Sequence, residues 1–149
     1  MSDSFSPEAA ARDALRRYYA AFNAGDFAGM LALLTEDVVH DVNQGARERG
    51  REAFTAFLER MRECYAEQVQ DLVLWADESG TRAAAEFIVL GRYLQADAGL
   101  PEAKGQEYRL PAGAFFDLRE GRIARVTLYY NLEEWLRQVR PRRAEREIA

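Results

Sequence analysis

The chain is poor in the residues from which metal and redox sites are usually built: it has one cysteine, Cys64, and one histidine, His40. A lone cysteine excludes an internal disulfide, which fits a reducing cytoplasm, and the two together are too few for a zinc site of nitrogen and sulfur ligands. Carboxylates are plentiful, but no spacing among them points to a hard-cation loop. Lysine is almost absent, with Lys104 the single one among 20 basic residues. Excess positive charge is missing as well. A net charge of −5 and a pI near 5.0 give no general affinity for nucleic acid. Apolar runs such as "FIVL" at 87–90 fall far short of the roughly 20 residues of a membrane span. The opening "MSDSFSPEAA" has neither the basic region nor the apolar stretch of a signal peptide. The expectation is a cytoplasmic protein without cofactor, metal, nucleic acid or membrane partner. What remains, 48% apolar and 30% charged residues in a chain of 149, suits one globular domain and not a disordered chain.

Helices come first along the chain and long strands follow. "SPEAAARDALRRYYAAFNAGD" places Ser6 as N-cap, Pro7 at the first helical position and Glu8 near the positive end of the dipole. Leu15, Tyr18, Tyr19 and Phe22 recur at helical spacing. Gly25 supplies a stop, and Asp26 can cap a second short helix with Phe27, Met30, Leu31 and Leu34. "EDVVHDV" is short, β-branched and alternating, which predicts a strand, and "NQGARERG" a turn or short strand return. Phe54, Phe57, Leu58, Met61 and Tyr65 predict a helix from Arg51 to about Tyr65. "EQVQDLVLWADESG" and "TRAAAEFIVLGRYL" read as long strands joined at "DESG"; "QADAGLPEAK" is a loop. "GQEYRLPAGAFFDL" and "RIARVTLYY" form a second pair around "REG". Asn131 can cap a last helix in which Leu132, Trp135, Leu136 and Val139 share a face. The order predicts an α+β class, with N-terminal helices packed on a long curved antiparallel sheet as a cone-shaped α+β barrel. A single domain is expected over 1–140 and a charged, frayed tail over 141–149.

A cone of this kind can hold a ligand cavity. Here the sequence resembles the nuclear transport factor 2-like superfamily, and within it the ketosteroid isomerases and SnoaL-like polyketide cyclases. The likeness is carried by "RRYYAAFNAGD" at 16–26, "LTEDVVHD" at 34–41 and "GREAFTAFL" at 50–58. "GLP" and "KGQ" within 99–106, then "REGRI" and "WLRQV" near the end, extend it over most of residues 10–139. In ketosteroid isomerases a carboxylate moves a proton while a tyrosine and a protonated aspartic acid hold the enolate oxygen. The resemblance puts Tyr18 on that tyrosine without a gap. Asp41 falls on the base when one residue between Asp37 and His40 is deleted, and Val42 falls there without the gap. Ala114 stands where the oxyanion aspartic acid is expected, a departure from the isomerase pattern. SnoaL-like cyclases resemble one another in a carboxylate near the end of the last strand, and Asn131 in "YYNLEEWLRQV" takes that place. Asparagine can hydrogen-bond a substrate but cannot act as a base.

His40 and Asp41 are neighbours on a strand, so they point to opposite faces and only one looks into the cone. In an apolar cone Asp41 would have a raised pKa and serve as a proton shuttle. His40, with an unperturbed value near ~6.5, suits acid–base work as it stands. The plainer reading has His40 bonded to backbone and Asp41 in a turn or salt bridge. The resemblance tilts the choice toward Asp41, with Asn43 on the same face if the strand extends that far. The isomerase register turns Val126, Leu128 and Tyr130 inward together with Ala112, Ala114 and Phe116, and Phe87 and Tyr93 join that wall. Candidate catalytic residues are therefore Asp41, His40 and Tyr18. Candidate substrate contacts are Tyr130, Asn131, Asn43, Phe87, Tyr93, Ala114 and Phe116. Trp75 and Trp135 read as core. Glu86, Glu107 and Arg109 read as cross-strand charges. Ile88, Leu90 and Phe115 make a second apolar face, which in this superfamily commonly forms a homodimer.

Two functions are expected. The first is a cofactor-free enzyme, an isomerase, cyclase or dehydratase, moving a proton on a small hydrophobic carbonyl compound. The second is a non-catalytic binding or assembly module of the same fold. Epoxide hydrolysis, which needs carboxylates around an arginine such as Arg109 with Glu107 or Glu86, ranks behind both.

Overall fold

A computed structural model describes residues 6–141. Helix α1, Pro7–Ala24, starts where Ser6 accepts a hydrogen bond from the Ala9 amide at 3.0 Å, and it ends at Gly25, whose φ of +70° is the left-handed conformation that glycine adopts freely. Asp26 caps α2, Phe27–Ala32, by accepting from the Gly29 amide. Strand β1 (Leu34–Asp41), the short β2 (Arg47–Arg49) and helix α3 (Arg51–Cys64) follow. Then come β3 (Tyr65–Ala76), β4 (Arg82–Tyr93), β5 (Glu107–Arg119), β6 (Arg122–Tyr130) and α4 (Leu132–Val139). The expected tail over 141–149 lies outside the described residues except at its first position. No described helix is long and apolar enough to cross a membrane.

The sheet order is β2-β1-β6-β5-β4-β3. The four long strands form an antiparallel meander, while β1 runs parallel to β6, so the sheet is mixed and open at both edges. Its inner face is covered at one end by α1. Leu15, Tyr18 and Tyr19 pack there against Phe87, Ala114 and Phe116. At the other end α4 sets Trp135, Leu136 and Val139 on Tyr93, Tyr108 and Leu110. Fully burying a side chain of this size stabilises by about 1.5–3 kcal/mol.

One irregularity decides which way a tryptophan points. Asp71 has φ +54°, and the β3–β4 register shifts between Gln70 and Val73. Such a bulge inserts a residue and reverses the facing of the side chains beyond it. Before it Val69 is buried; after it Leu72, Leu74 and Ala76 pack on the core, and Trp75 turns outward with 52% of its surface exposed. The expectation that Trp75 belongs to the core is corrected accordingly, whereas Trp135 is buried.

Candidate active-site cavity

Between the two packed ends lies a cavity of about 420 Å³. Apolar side chains from α3 (Phe57, Met61), the sheet (Val89, Leu110, Leu128) and α4 (Trp135) supply its walls. Into this lining project His40, Asn43, Glu67, Asp97 and Tyr130.

Glu67 was not legible as a site residue. Its neighbours across the sheet are Gly91 on β4 and, beyond that, Tyr108 on β5. A Cβ at position 91 would overlap the Tyr108 ring, so only glycine lets that ring lie across β4. Its hydroxyl then donates to Glu67 Oε2 at 2.5 Å. Burial raises the Glu67 pKa above its ordinary value of 4.5, and the Tyr108 hydrogen bond opposes part of that rise. A carboxyl shifted upward in an apolar cavity is a stronger base than an ordinary one and can both take and return a proton. Burial likewise raises the Tyr108 phenol, with the Glu67 charge adding to it.

Asp97 comes from the loop between β4 and β5. It accepts from the Tyr65 hydroxyl at 2.9 Å, and Arg60 Nε stands 3.8 Å from its other oxygen. The Tyr93 hydroxyl donates to the Pro101 carbonyl at 2.7 Å and accepts from the Asp97 amide at 3.0 Å. The loop thereby lays Ala98 and Leu100 over the cavity.

His40 is the member of the strand-end pair that lines the cavity. Its ring is 4% exposed and lies against Phe54 and Phe57 at centroid distances of 4.8 and 4.5 Å. Burial lowers its pKa below 6.5, while the charges of Glu48 and Asp41 oppose the fall. Strand β1 ends at Asp41, so Asn43 does not continue the Asp41 face; it lies in the turn and lines the cavity. There its Oδ1 accepts from the Tyr130 amide at 3.3 Å, while its buried Nδ2 has no hydrogen-bond partner among the described residues. Burial raises the Tyr130 phenol pKa.

The remaining expected site residues lie elsewhere. Asp41 points to the opposite sheet face, where Arg47 Nε donates to it at 2.6 Å and the Thr127 hydroxyl at 2.6 Å. The hydrogen bond and charge of Arg47 hold its carboxyl down at about 2. Pairing of Asp41 with Thr127 and of His40 with Val126 sets this facing. Tyr18 is buried edge-on to Tyr19 and Phe116, at 5.2 and 6.1 Å, and does not line the cavity. Phe87, Ala114 and Phe116 do face inward, but α1 covers them; Tyr19 sits 5.1 Å from the Phe87 ring. Tyr93 is fully buried beneath the loop and holds it. Asn131 accepts from the Glu134 amide as the α4 cap and faces the outer groove.

That outer face carries Trp75, Phe115 and Tyr129, each at least half exposed. Glu86 and Arg109 stand in the same groove and form no ion pair among the described residues. Glu107 pairs with Arg92 at 2.6 Å, the cross-strand charge pair expected of it.

Comparison with known proteins agrees with this fold. The SnoaL-like domain matches residues 15–126. A "putative polyketide cyclase" from Pseudomonas putida KT2440 is 56% identical, with a TM-score of 0.86 over 87% of this chain and 98% of its own. A protein of the same description from Xanthomonas campestris pv. campestris is 55% identical, with a TM-score of 0.88 over 91% of this chain and 100% of its own. An NTF2-like protein from Burkholderia xenovorans LB400 shares the fold at 16% identity, with a TM-score of 0.70 over 89% of this chain and 98% of its own. No curated protein matches. The chain belongs to the SnoaL-like family, on the nuclear transport factor 2-like fold.

Proposed function

We propose that the protein is a cofactor-free proton-transfer enzyme acting on a small hydrophobic carbonyl compound in the cone. The observation that carries this is Glu67, a carboxyl raised by burial, hydrogen-bonded to Tyr108 and open to an apolar cavity. Glu67 takes a proton from the carbon next to a carbonyl group and gains an O–H bond; the C–H pair becomes a carbon–carbon π bond, and the carbonyl π pair moves onto the oxygen. The Tyr130 hydroxyl is the donor available to that oxygen, with Asn43 beside it at the cavity wall. Returning the proton elsewhere gives isomerisation; attack of the enolate carbon on a second carbonyl, whose oxygen then takes the proton back from Glu67, gives ring closure. The description of the 56% identical relative favours the second. A volume of about 420 Å³ lies in the range of small-molecule sites. Incubation with 2-tetralone, a bicyclic ketone, in deuterium oxide tests the reading. Deuterium is expected at the α-carbon faster than in buffer alone.

The second reading, a binding or assembly module, is favoured by one observation. Both residues aligned with the isomerase machinery, Tyr18 and Asp41, lie outside the cavity. It predicts saturable ketone binding without exchange.

A second copy of this chain is proposed to cover the outer sheet face. Trp75, Phe115 and Tyr129 make that face apolar, and the unpaired Glu86 and Arg109 are of opposite sign. A two-fold arrangement can join each to the other's copy. The cytoplasm, where Cys64 stays reduced, is the proposed compartment.

A further inference from the structure

His40 has two sides, and the cavity uses one of them. Its partner across the β1–β2 ladder is Glu48, which does not line the cavity and is 42% exposed. Glu48 Oε1 stands 3.6 Å from His40 Nδ1, and that nitrogen is sealed from solvent without a hydrogen bond among the described residues. Buried polar atoms in native proteins nearly always have a partner, and Glu48 needs only a small side-chain adjustment to become one. The alternative tautomer would press the Nδ1 lone pair against a carboxylate. With Nδ1 sealed, Nε2 is the nitrogen a ligand can reach.

We propose that Glu48 is a positioning residue for His40: its carboxylate holds the proton on Nδ1, so that Nε2 meets the ligand as an unprotonated acceptor near neutral pH. The use of that acceptor rests on the proton-transfer reading. A ligand hydroxyl or enol held by Nε2 would place the reacting carbon, and a proton accepted there would leave an imidazolium stabilised by Glu48.

Few charged groups face this ring. Strand β2 supplies Glu48, and β1 itself supplies Asp41 from the opposite face. Helix α3 contributes Arg60 at the cavity wall, β3 contributes Glu67, and the β4–β5 loop contributes Asp97. Strand β6 presents Val126 and Tyr130, which carry no charge. Among the described residues Glu48 is the anion nearest the sealed nitrogen.

As the single histidine, His40 can be read without ambiguity in the full chain labelled with nitrogen-15. Near neutral pH the imidazole signals are expected to show the Nδ1–H tautomer, the reverse of the preference of free histidine. Glu48→Gln keeps an acceptor and loses the charge, so the tautomer persists and the His40 pKa falls by about one unit. Glu48→Ala loses both, and the tautomer reverts to Nε2–H. Glu48 lies on an edge strand, and unchanged amide spectra outside its neighbourhood confirm that the variants fold. An Nε2–H ring in the wild type, or a tautomer and pKa untouched by Glu48→Ala, overturns the proposal. No substrate enters this experiment. The expected spectra without ketone exchange would remove the enzyme and leave the Glu48–His40 pair, while exchange with unresponsive spectra would do the opposite.

Discussion

The Tyr108 hydroxyl reaches Glu67 Oε2 at 2.5 Å from two strands away, over a glycine at position 91. Three residues on three adjacent strands thus act as one unit: an acid, a position without a side chain and a donor. Tyr108→Phe removes the donor and keeps the ring. Since that hydrogen bond holds the Glu67 pKa down against burial, the variant should show a further upward shift. Carbon-13 titration of the Glu67 carboxyl measures it, and an unchanged or lower value would contradict the assignment.

Gly91→Ala tests the same unit through sterics. The new methyl overlaps the Tyr108 ring, and forcing a packed ring aside costs about 1–3 kcal/mol. Urea denaturation should show a lower midpoint than the wild type. Tyr108→Ala in the same background should relieve the clash, which makes the double variant less destabilised than the two single changes added together.

A raised carboxyl pKa also has a sign in stability. Glu67 binds a proton more tightly in the folded chain than in the unfolded one. Its ionisation therefore destabilises the fold progressively as pH rises through the folded value. Glu67→Gln, which can still accept from Tyr108, should raise the melting temperature at pH ~7. The advantage should vanish below pH ~4, where glutamate is protonated in both states. Equal melting temperatures at both pH values would contradict a buried, raised carboxyl.

Asp41 has the opposite sign. Arg47 and Thr127 hold its carboxyl at about 2 in the folded chain. Its stabilising contribution is present above the unfolded value near ~3.9 and is lost as pH falls through about 2. Asp41→Asn should lower the melting temperature at neutral pH and leave ketone exchange unchanged. A loss of exchange in a variant that folds normally would return Asp41 to the chemistry.

The outer face gives a prediction about mass. Phe115 and Tyr129 are half exposed and stack edge-on at 5.9 Å. Light scattering should give twice the 17.0 kDa of one chain, and the Phe115→Glu, Tyr129→Glu double variant should give one chain. A monomeric wild type would remove the second copy.

Much of the architecture was legible in the sequence because local rules agree with it. Ser6, Pro7, Gly25 and Asp26 punctuate the first two helices. Strict alternation sets Val126, Leu128 and Tyr130 inward. The candidate site was half legible. Alternation showed that His40 and Asp41 compete for one inward position, but the choice between them belongs to the β1–β6 register, a long-range pairing with no local signal. Trp75 failed for a related reason, since the bulge at Asp71 reverses the strand's facing within two residues. Glu67 was missed because an alternating polar residue on a long strand usually faces solvent. Its one signal was Gly91, an interruption after the bulky run 87–90, and that signal means something only once Tyr108 is known to lie beside it.

The most direct test of the account is the rate of α-deuterium incorporation into 2-tetralone with wild type and Glu67→Gln side by side, at neutral pH in deuterium oxide. A general base contributes typically 10²–10⁴-fold. The wild type is expected to exceed buffer, and Glu67→Gln to lose about 100-fold or more of that excess while binding the ketone as tightly. Equal exchange by the two proteins, or none above buffer in the wild type, would contradict the claim that Glu67 moves a proton in this cavity.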